Sequence, residues 1–208
     1  MTAISNAANT AEGAISTQMP WVVEVDIQGT SDLLFHRYSV EAVAEKAAAA
    51  KNSAAKKTDD TESYLYRDDD GIVCLPGEYL RGAICSPGGA AKYRQDPRSP
   101  RKSALDLYKA GVIALTNLAP IVTSDGELAK DADYMDRRRV VVQRNAVSRV
   151  RPAFHTGWTT TVQFQINTPE YISDKDFKDV LDLAGRLVGV GDFRPTFGRF
   201  TVMRFEII

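Results

Sequence analysis

The clearest regularity along the chain is the alternation of apolar and polar residues at 158–167. Trp158, Thr160, Val162, Phe164 and Ile166 fall on one side of an extended segment, and Thr159, Thr161, Gln163, Gln165 and Asn167 on the other. A side-chain period of two puts the first set on a buried face and the second in water. The same pattern opens the chain, where Val23, Val25 and Ile27 alternate with Glu24, Asp26 and Gln28 and predict a strand over Trp21–Gln28. After residue 167 the period changes. Ser173 and Asp176 form a helix-start signature, and Phe177, Val180, Leu181, Ala184, Leu187 and Val188 make one stripe at helical spacing. A glycine-rich loop and a last strand, Phe200–Ile207, follow. Strand, helix, loop and strand are half of a βαββαβ plan.

The first half of the chain is less regular. Residues 1–19 are small and polar and read as a loose arm. The Ala- and Lys-rich stretch from Val40 to Lys57 predicts a helix running into a polar insert. Tyr64–Arg67 and Ile72–Leu75 predict short strands joined by a turn at Asp68–Gly71. The triplet Asp68, Asp69 and Asp70 invites a metal, but it is local and has no second group of ligands, so it reads as a solvated turn. Pro76 and Gly77 open a helix over Glu78–Ile84, which Ser86-Pro87-Gly88-Gly89 ends. Short strands are expected near Val112–Leu115 and Ile121–Val122, then a polar excursion over 123–136 and a basic strand-like segment over Arg137–Arg151.

Composition narrows the picture. A chain of 208 residues, 44% hydrophobic, can bury a core as one domain with embellishments. No stretch approaches the roughly 18 apolar residues of a membrane span, and no basic head precedes an apolar run at the N-terminus. Cys74 and Cys85 stand in neither a redox nor a zinc spacing. A cytoplasmic protein with free, buried thiols is the expectation. The net charge of −1 hides a division: residues 1–80 carry a balance of −7 and residues 81–151 a balance of +7. That asymmetry predicts one positive face, against the alternative of charges that pair locally.

Two segments carry chemistry. The first is Leu75-Pro76-Gly77-Glu78-Tyr79-Leu80-Arg81-Gly82-Ala83-Ile84. Its sharp turn into a helix would leave backbone N–H groups and a positive dipole end for phosphate, and Gly82 would allow close helix packing. The second is Gly189-Val190-Gly191-Asp192-Phe193-Arg194-Pro195-Thr196-Phe197-Gly198-Arg199-Phe200. Its arginines suit phosphate and its aromatics suit base stacking. It follows a helix rather than a strand, which excludes a dinucleotide fingerprint, and it does not match a P-loop.

In this order the two segments resemble the CRISPR-associated RAMP superfamily. The first is similar to the I-P-G-S-S-L-K/R-G-A motif of backbone subunits in type III effector complexes, and the second to their carboxy-terminal glycine-rich loop. Between them, Arg149-Val150-Arg151-Pro152-Ala153-Phe154-His155-Thr156-Gly157 resembles the family's R-x-E-x-V-P-x-G segment. The resemblance implies an α+β fold with an RRM-like (ferredoxin-like) βαββαβ core over 20–208. It also implies thumb or lid insertions at 40–62 and 123–139. The implied function is that of an RNA-binding backbone subunit polymerising head-to-tail along a guide RNA of crRNA type, with a complementary target strand and other effector-complex subunits as partners. No cofactor or metal is expected. The phosphate track would draw on Arg81, Lys92, Arg94, Arg98, Arg101, Arg137, Arg138, Arg139, Arg144, Arg149 and Arg151, and the loop would contribute Gly189, Gly191, Phe193, Arg194 and Arg199. Glu78 and Tyr79 replace the family's paired serines, the family's middle-segment glutamate is absent, and no aspartate stands in the context used by target-cleaving members.

Two other readings stay open. RAMP enzymes that process guide RNA use a histidine near the first helix as general base, which would assign that role to His36. In Leu-Leu-Phe-His-Arg-Tyr, however, a packed and hydrogen-bonded histidine is the ordinary expectation, as it is for His155 beside Pro-Ala-Phe. Alternatively, a mobile-element interaction protein would use the same fold for a protein partner.

Overall fold

The computed structural model describes residues 19–38, 60–142 and 145–208, with Val40, Ala44 and Ala48 between the first two stretches. The expected arm as far as Gln18, most of the insert at 40–62, and Arg144 lie outside the described residues. The elements run β1 (Trp21–Gly29), β2 (Leu33–Leu34), β3 (Cys74–Pro76), α1 (Gly77–Cys85), β4 (Gln95–Asp96), β5 (Ser99–Ser103), α2 (Leu105–Gly111), β6 (Val112–Ala114) and β7 (Leu118–Pro120). They continue with β8 (Tyr134–Val142), β9 (Asn145–Phe154), β10 (Thr159–Ile166), α3 (Asp174–Leu183) and β11 (Phe200–Ile207). This is a mixed α+β architecture.

The main sheet is antiparallel with strand order β11-β1-β10-β6. Its registers place Val23 opposite Phe164 and Val25 opposite both Val162 and Phe205, so the alternation seen in the sequence becomes a continuous apolar face. Leu80, Ala83 and Ile84 of α1 and Phe177, Val180 and Leu181 of α3 belong to the same core. Phe177 is its hub, with ring centroids at 5.5 Å from Phe164 and 6.2 Å from both Trp21 and Phe205. Burying one such ring stabilises the fold by about 2–3 kcal/mol.

The opposite sheet face is polar and acidic. Glu24, Asp26 and Glu206 surround Arg204, whose Nε lies 2.6 Å from Asp26 and whose Nη1 lies 2.5 Å from Glu206. Hydrogen bonds from Gln163 and Arg204 hold the Glu24 carboxyl below its ordinary pKa.

A second sheet, β2-β9-β8, carries a long hairpin. Leu33 and Leu34 of β2 pair with Phe154 and Ala153 and fix its base. The basic segment expected over Arg137–Arg151 is therefore two paired strands, and the polar excursion ends where β8 begins at Tyr134.

Three local expectations change. Of the strands expected over Tyr64–Arg67 and Ile72–Leu75, the first gives way to a 3-10 turn (Glu62–Tyr64) and a single Arg67–Val73 bridge, while the second forms in part as β3, which pairs with β7. The turn itself forms: the Asp68 carboxylate accepts the N–H groups of Asp70 and Ile72 and holds the backbone of its own loop. The helical stripe breaks at Leu187, which is 42% exposed. A π-turn over Ala184–Val188, closed by the Gly189 N–H on the Ala184 carbonyl, inserts one residue and rotates that side chain outward. At α1 the close approach belongs to Gly77, where a Cβ would stand 2.1 Å from the Thr116 carbonyl oxygen, whereas a Cβ at Gly82 would meet nothing within 4 Å.

Cys74 and Cys85 are buried free thiols, as expected, and burial pushes both up to about 11. Among the described residues no helix is long and apolar enough to cross a membrane.

Candidate nucleic-acid interface

The glycine-rich loop turns on residues with positive φ: Gly189 at 75°, Gly191 at 77° and Gly198 at 70°. At Gly198 a Cβ would stand 1.7 Å from the Val190 carbonyl, so the two ends of the loop meet where only glycine fits. Backbone bonds fasten the loop to the segment after β1: Asp192 N–H to Leu34 O at 2.8 Å, Gly198 N–H to Asp32 O at 2.8 Å, and Thr30 N–H to Arg199 O at 2.8 Å. Asp32 in turn accepts from the Tyr134 hydroxyl at 2.6 Å and from Thr156 N–H at 2.8 Å. Burial alone would raise this carboxyl, but the three hydrogen bonds from Tyr134 and Thr156 outweigh it and hold its pKa down.

Opposite the loop stands α1. Beyond the end of the helix a groove of about 520 Å³ has Ser86, Gly88, Lys92 and Tyr93 on one wall and Gly191, Asp192, Phe193 and Arg194 on the other. An adjoining recess of about 290 Å³ shares Gly191 and Arg194 and is lined on the helix side by Glu78, Tyr79, Gly82 and Ser86. The two motif segments, far apart in sequence, thus face each other across this smaller recess, which shares Ser86, Gly191 and Arg194 with the larger groove. The lysine ammonium of Lys92 lies 4.8 Å from the Tyr93 ring centre, and that ring is 56% exposed. Tyr79, where the family pattern has serine, contacts the Tyr66 hydroxyl at 3.2 Å. Burial and this hydrogen bond push its phenol pKa upward.

The end of α1 is not the open phosphate site that the sequence suggested. The Gly77 N–H is taken by the Asn117 carbonyl at 3.1 Å, and Glu78 occupies the first turn. It is the side of the helix, rather than its end, that faces the smaller recess.

The remaining arginines sort by partner. Arg151 is buried, with Nε 2.8 Å from Asp192 and its guanidinium 5.0 Å from the Tyr64 ring centre. Arg138 forks onto Asp136 at 2.5 and 2.6 Å and lies between the Phe193 and Phe197 rings, at 4.9 and 4.3 Å. Arg81 binds the Val112 and Lys109 carbonyls at 2.8 and 2.9 Å. Arg94 pairs with Asp179 at 2.5 Å, and Arg98 forks onto buried Asp96 at 2.9 and 2.8 Å. These five hold elements together.

Arg137 and Arg139 point to the face of the hairpin opposite Arg138 and are exposed. Arg149 shares the face of Arg138 and is half-buried, while Arg101 is exposed on β5 and Arg194 on the loop. Arg199 is exposed and donates to the Pro195 carbonyl at 2.7 Å.

His36 is half-exposed, with Nδ1 3.8 Å from Asp192 and its ring edge-on to Tyr64 at 4.9 Å. His155 stacks on Tyr134 at 4.8 Å. The sequence pattern singles out neither Tyr93 nor the ion pairing of Asp192 within the loop. Tyr93 was signalled only by its place beside Lys92 in a basic stretch.

No family model matches the chain, and no curated protein matches it. Among solved structures, the fold is similar to that of a chain in the cryo-EM structure of the type III-B Cmr-beta bound to cognate target RNA. The TM-score is 0.50 at 11% sequence identity, over 91% of this chain and 61% of that one. At that identity the likeness is one of fold, and this chain spans about three fifths of the length of its match.

Proposed function

We propose that the chain is an RNA-binding subunit of a CRISPR-type ribonucleoprotein effector complex, of the RAMP backbone kind, with guide RNA in the groove and adjoining recess lined by the glycine-rich loop. The observation that carries this reading is the meeting of the two motif segments across the smaller recess, which shares Arg194 with the adjacent groove that Lys92 lines. The fold shared with a chain of a target-RNA-bound complex supports it. So does the strand order β11-β1-β10-β6, which for four strands in a βαββαβ path is the RRM-like (ferredoxin-like) arrangement. In this reading residues 20–208 are one such domain, with insertions at 40–62 and 123–139.

Lys92 and Arg194 grip phosphate, Tyr93 stacks a base, and Arg101, Arg137 and Arg139 extend the positive surface. Arg138 and Arg151 act beneath it by holding the loop. Glu24, Asp26 and Glu206 repel phosphate from the open sheet face, so RNA lies on the loop side of the molecule. Copies of the chain stack head-to-tail on a cytoplasmic guide, where a complementary strand and the other subunits join them.

The test is the nucleic-acid content and mass of freshly purified protein, then RNA binding by a Lys92→Ala/Arg194→Ala variant. The expected result is co-purified short RNA, about tenfold weaker binding by the variant, and a salt slope reduced by roughly 1 to 1.5. A clean RNA-free monomer indifferent to both substitutions would overturn the reading.

A further inference from the structure

Beyond the π-turn lies a second groove, of about 770 Å³, between the outer side of α3 and the start of β11. Its acidic groups are already matched: Asp179 by Arg94 at 2.5 Å and Lys175 at 3.1 Å, and Asp182 by Lys178 at 2.9 Å. Arg186 and Arg199, which also line it, have no carboxylate within ion-pair distance among the described residues. The groove therefore carries a net positive charge that nothing described in the chain neutralises.

The two grooves are neighbours. Leu187 and Val188 line the first and Arg186 the second, so the π-turn is the ridge between them. Arg199, in the second, donates to the carbonyl of Pro195, which lines the first. We propose that a bound RNA strand continues across this ridge into the α3–β11 groove, where Arg186 and Arg199 take its phosphates. The inference rests on the proposed function and adds a second binding site to it. Nucleic acid fits better than an acidic protein segment. A protein anchor needs an exposed apolar or aromatic pocket, and none of the large exposed apolar side chains among the described residues lies in this groove.

The experiment measures binding of labelled oligouridylates of about 5 and about 20 nucleotides to the full chain, its Arg186→Glu and Arg186→Ala variants, and Lys92→Ala/Arg194→Ala. Arg186 is exposed and has no ion-pair partner among the described residues, so its replacement is expected to leave folding intact, which circular dichroism checks. The expected result is that Arg186→Glu weakens the long oligonucleotide about tenfold and leaves the short one unchanged. Arg186→Ala lowers the long oligonucleotide's salt slope by about 0.7, and Lys92→Ala/Arg194→Ala weakens both lengths. If Arg186→Glu changes neither length while Lys92→Ala/Arg194→Ala weakens both, the second groove is overturned and the first stands. If no variant matters, both fall. Capture of a polyglutamate peptide that Arg186→Glu abolishes, with RNA binding unaltered, would overturn the proposal in favour of a protein partner.

Discussion

Arg151 of β9 and Asp192 of the glycine-rich loop form an ion pair, Nε to Oδ2 at 2.8 Å, across 41 residues of sequence. The guanidinium is almost fully buried and the carboxylate is one quarter exposed. Asp192 also accepts its neighbour Phe193's N–H at 2.9 Å, so this one carboxylate sets both the position and the turn of the loop. Removing one partner of such a pair leaves the other without compensation. Asp192→Ala is expected to cost about 3 kcal/mol, read by urea denaturation, and to weaken RNA binding with it. Unchanged stability would mean that the loop holds its shape without the pair.

Arg138→Lys tests the layer above. Lysine keeps the charge but loses the fork onto Asp136 and the guanidinium's approach to the Phe193 and Phe197 rings. The expected loss is about 1 kcal/mol, with RNA affinity falling less than in the Lys92→Ala/Arg194→Ala variant. A larger fall for Arg138→Lys would make it a direct contact.

The glycines separate by position. Gly198→Ala forces a side chain onto the Val190 carbonyl at positive φ and is expected to cost more than about 2 kcal/mol. Gly82→Ala meets open space inside a helix and is expected to raise stability by about 0.5–1 kcal/mol. Thermal melts of the two variants, shifted in opposite directions, check both.

Acid should unfold the protein through its matched carboxylates. Glu24, Asp26 and Asp32 are held below their ordinary values, and hydrogen bonds from Arg98 bring Asp96 down to about 2. A carboxyl whose folded pKa is depressed contributes its stability above the unfolded value and loses it as pH falls toward the folded one. The melting temperature should stay level from neutrality to about pH 5 and drop between about pH 4 and pH 2. Arg204→Ala, which removes the hydrogen bonds that hold Glu24 and Asp26 down, should lower stability at neutral pH and flatten that profile, because the two carboxyls move back toward their unfolded values, without reducing RNA affinity.

His36→Ala separates binding from cleavage. His36 packs on Tyr64 and faces Asp192 from outside the two walls of the groove. RNA incubated with the variant and with the parent chain should remain equally intact. Cleavage by the parent that the substitution abolishes would restore the general-base reading.

Much of this was legible beforehand where the cause is local. Alternation over 21–28 and 158–167 named the buried face correctly, because side chains on a strand change sides at every residue. Ser173 does cap α3, its hydroxyl accepting the Asp176 N–H at 3.1 Å. The same parity separates Arg138 from Arg137 and Arg139, a division present in the sequence once β8 is recognised as a strand.

The sequence by itself determined the strongly periodic elements, β1, β10, α3 and β11, and where a glycine loop must turn. Only the tertiary structure decided which positive charges are available. An arginine's partner is set by contact in space: Arg94 finds Asp179 at a separation of 85 residues and Arg151 finds Asp192 at 41. No pattern along the chain encodes that pairing. The π-turn that exposes Leu187 likewise comes from how the end of α3 meets β11, where a Cβ at Gly185 would strike the Phe200 carbonyl. Charges and cavities are properties of assembled surfaces, and they appear when distant segments come together.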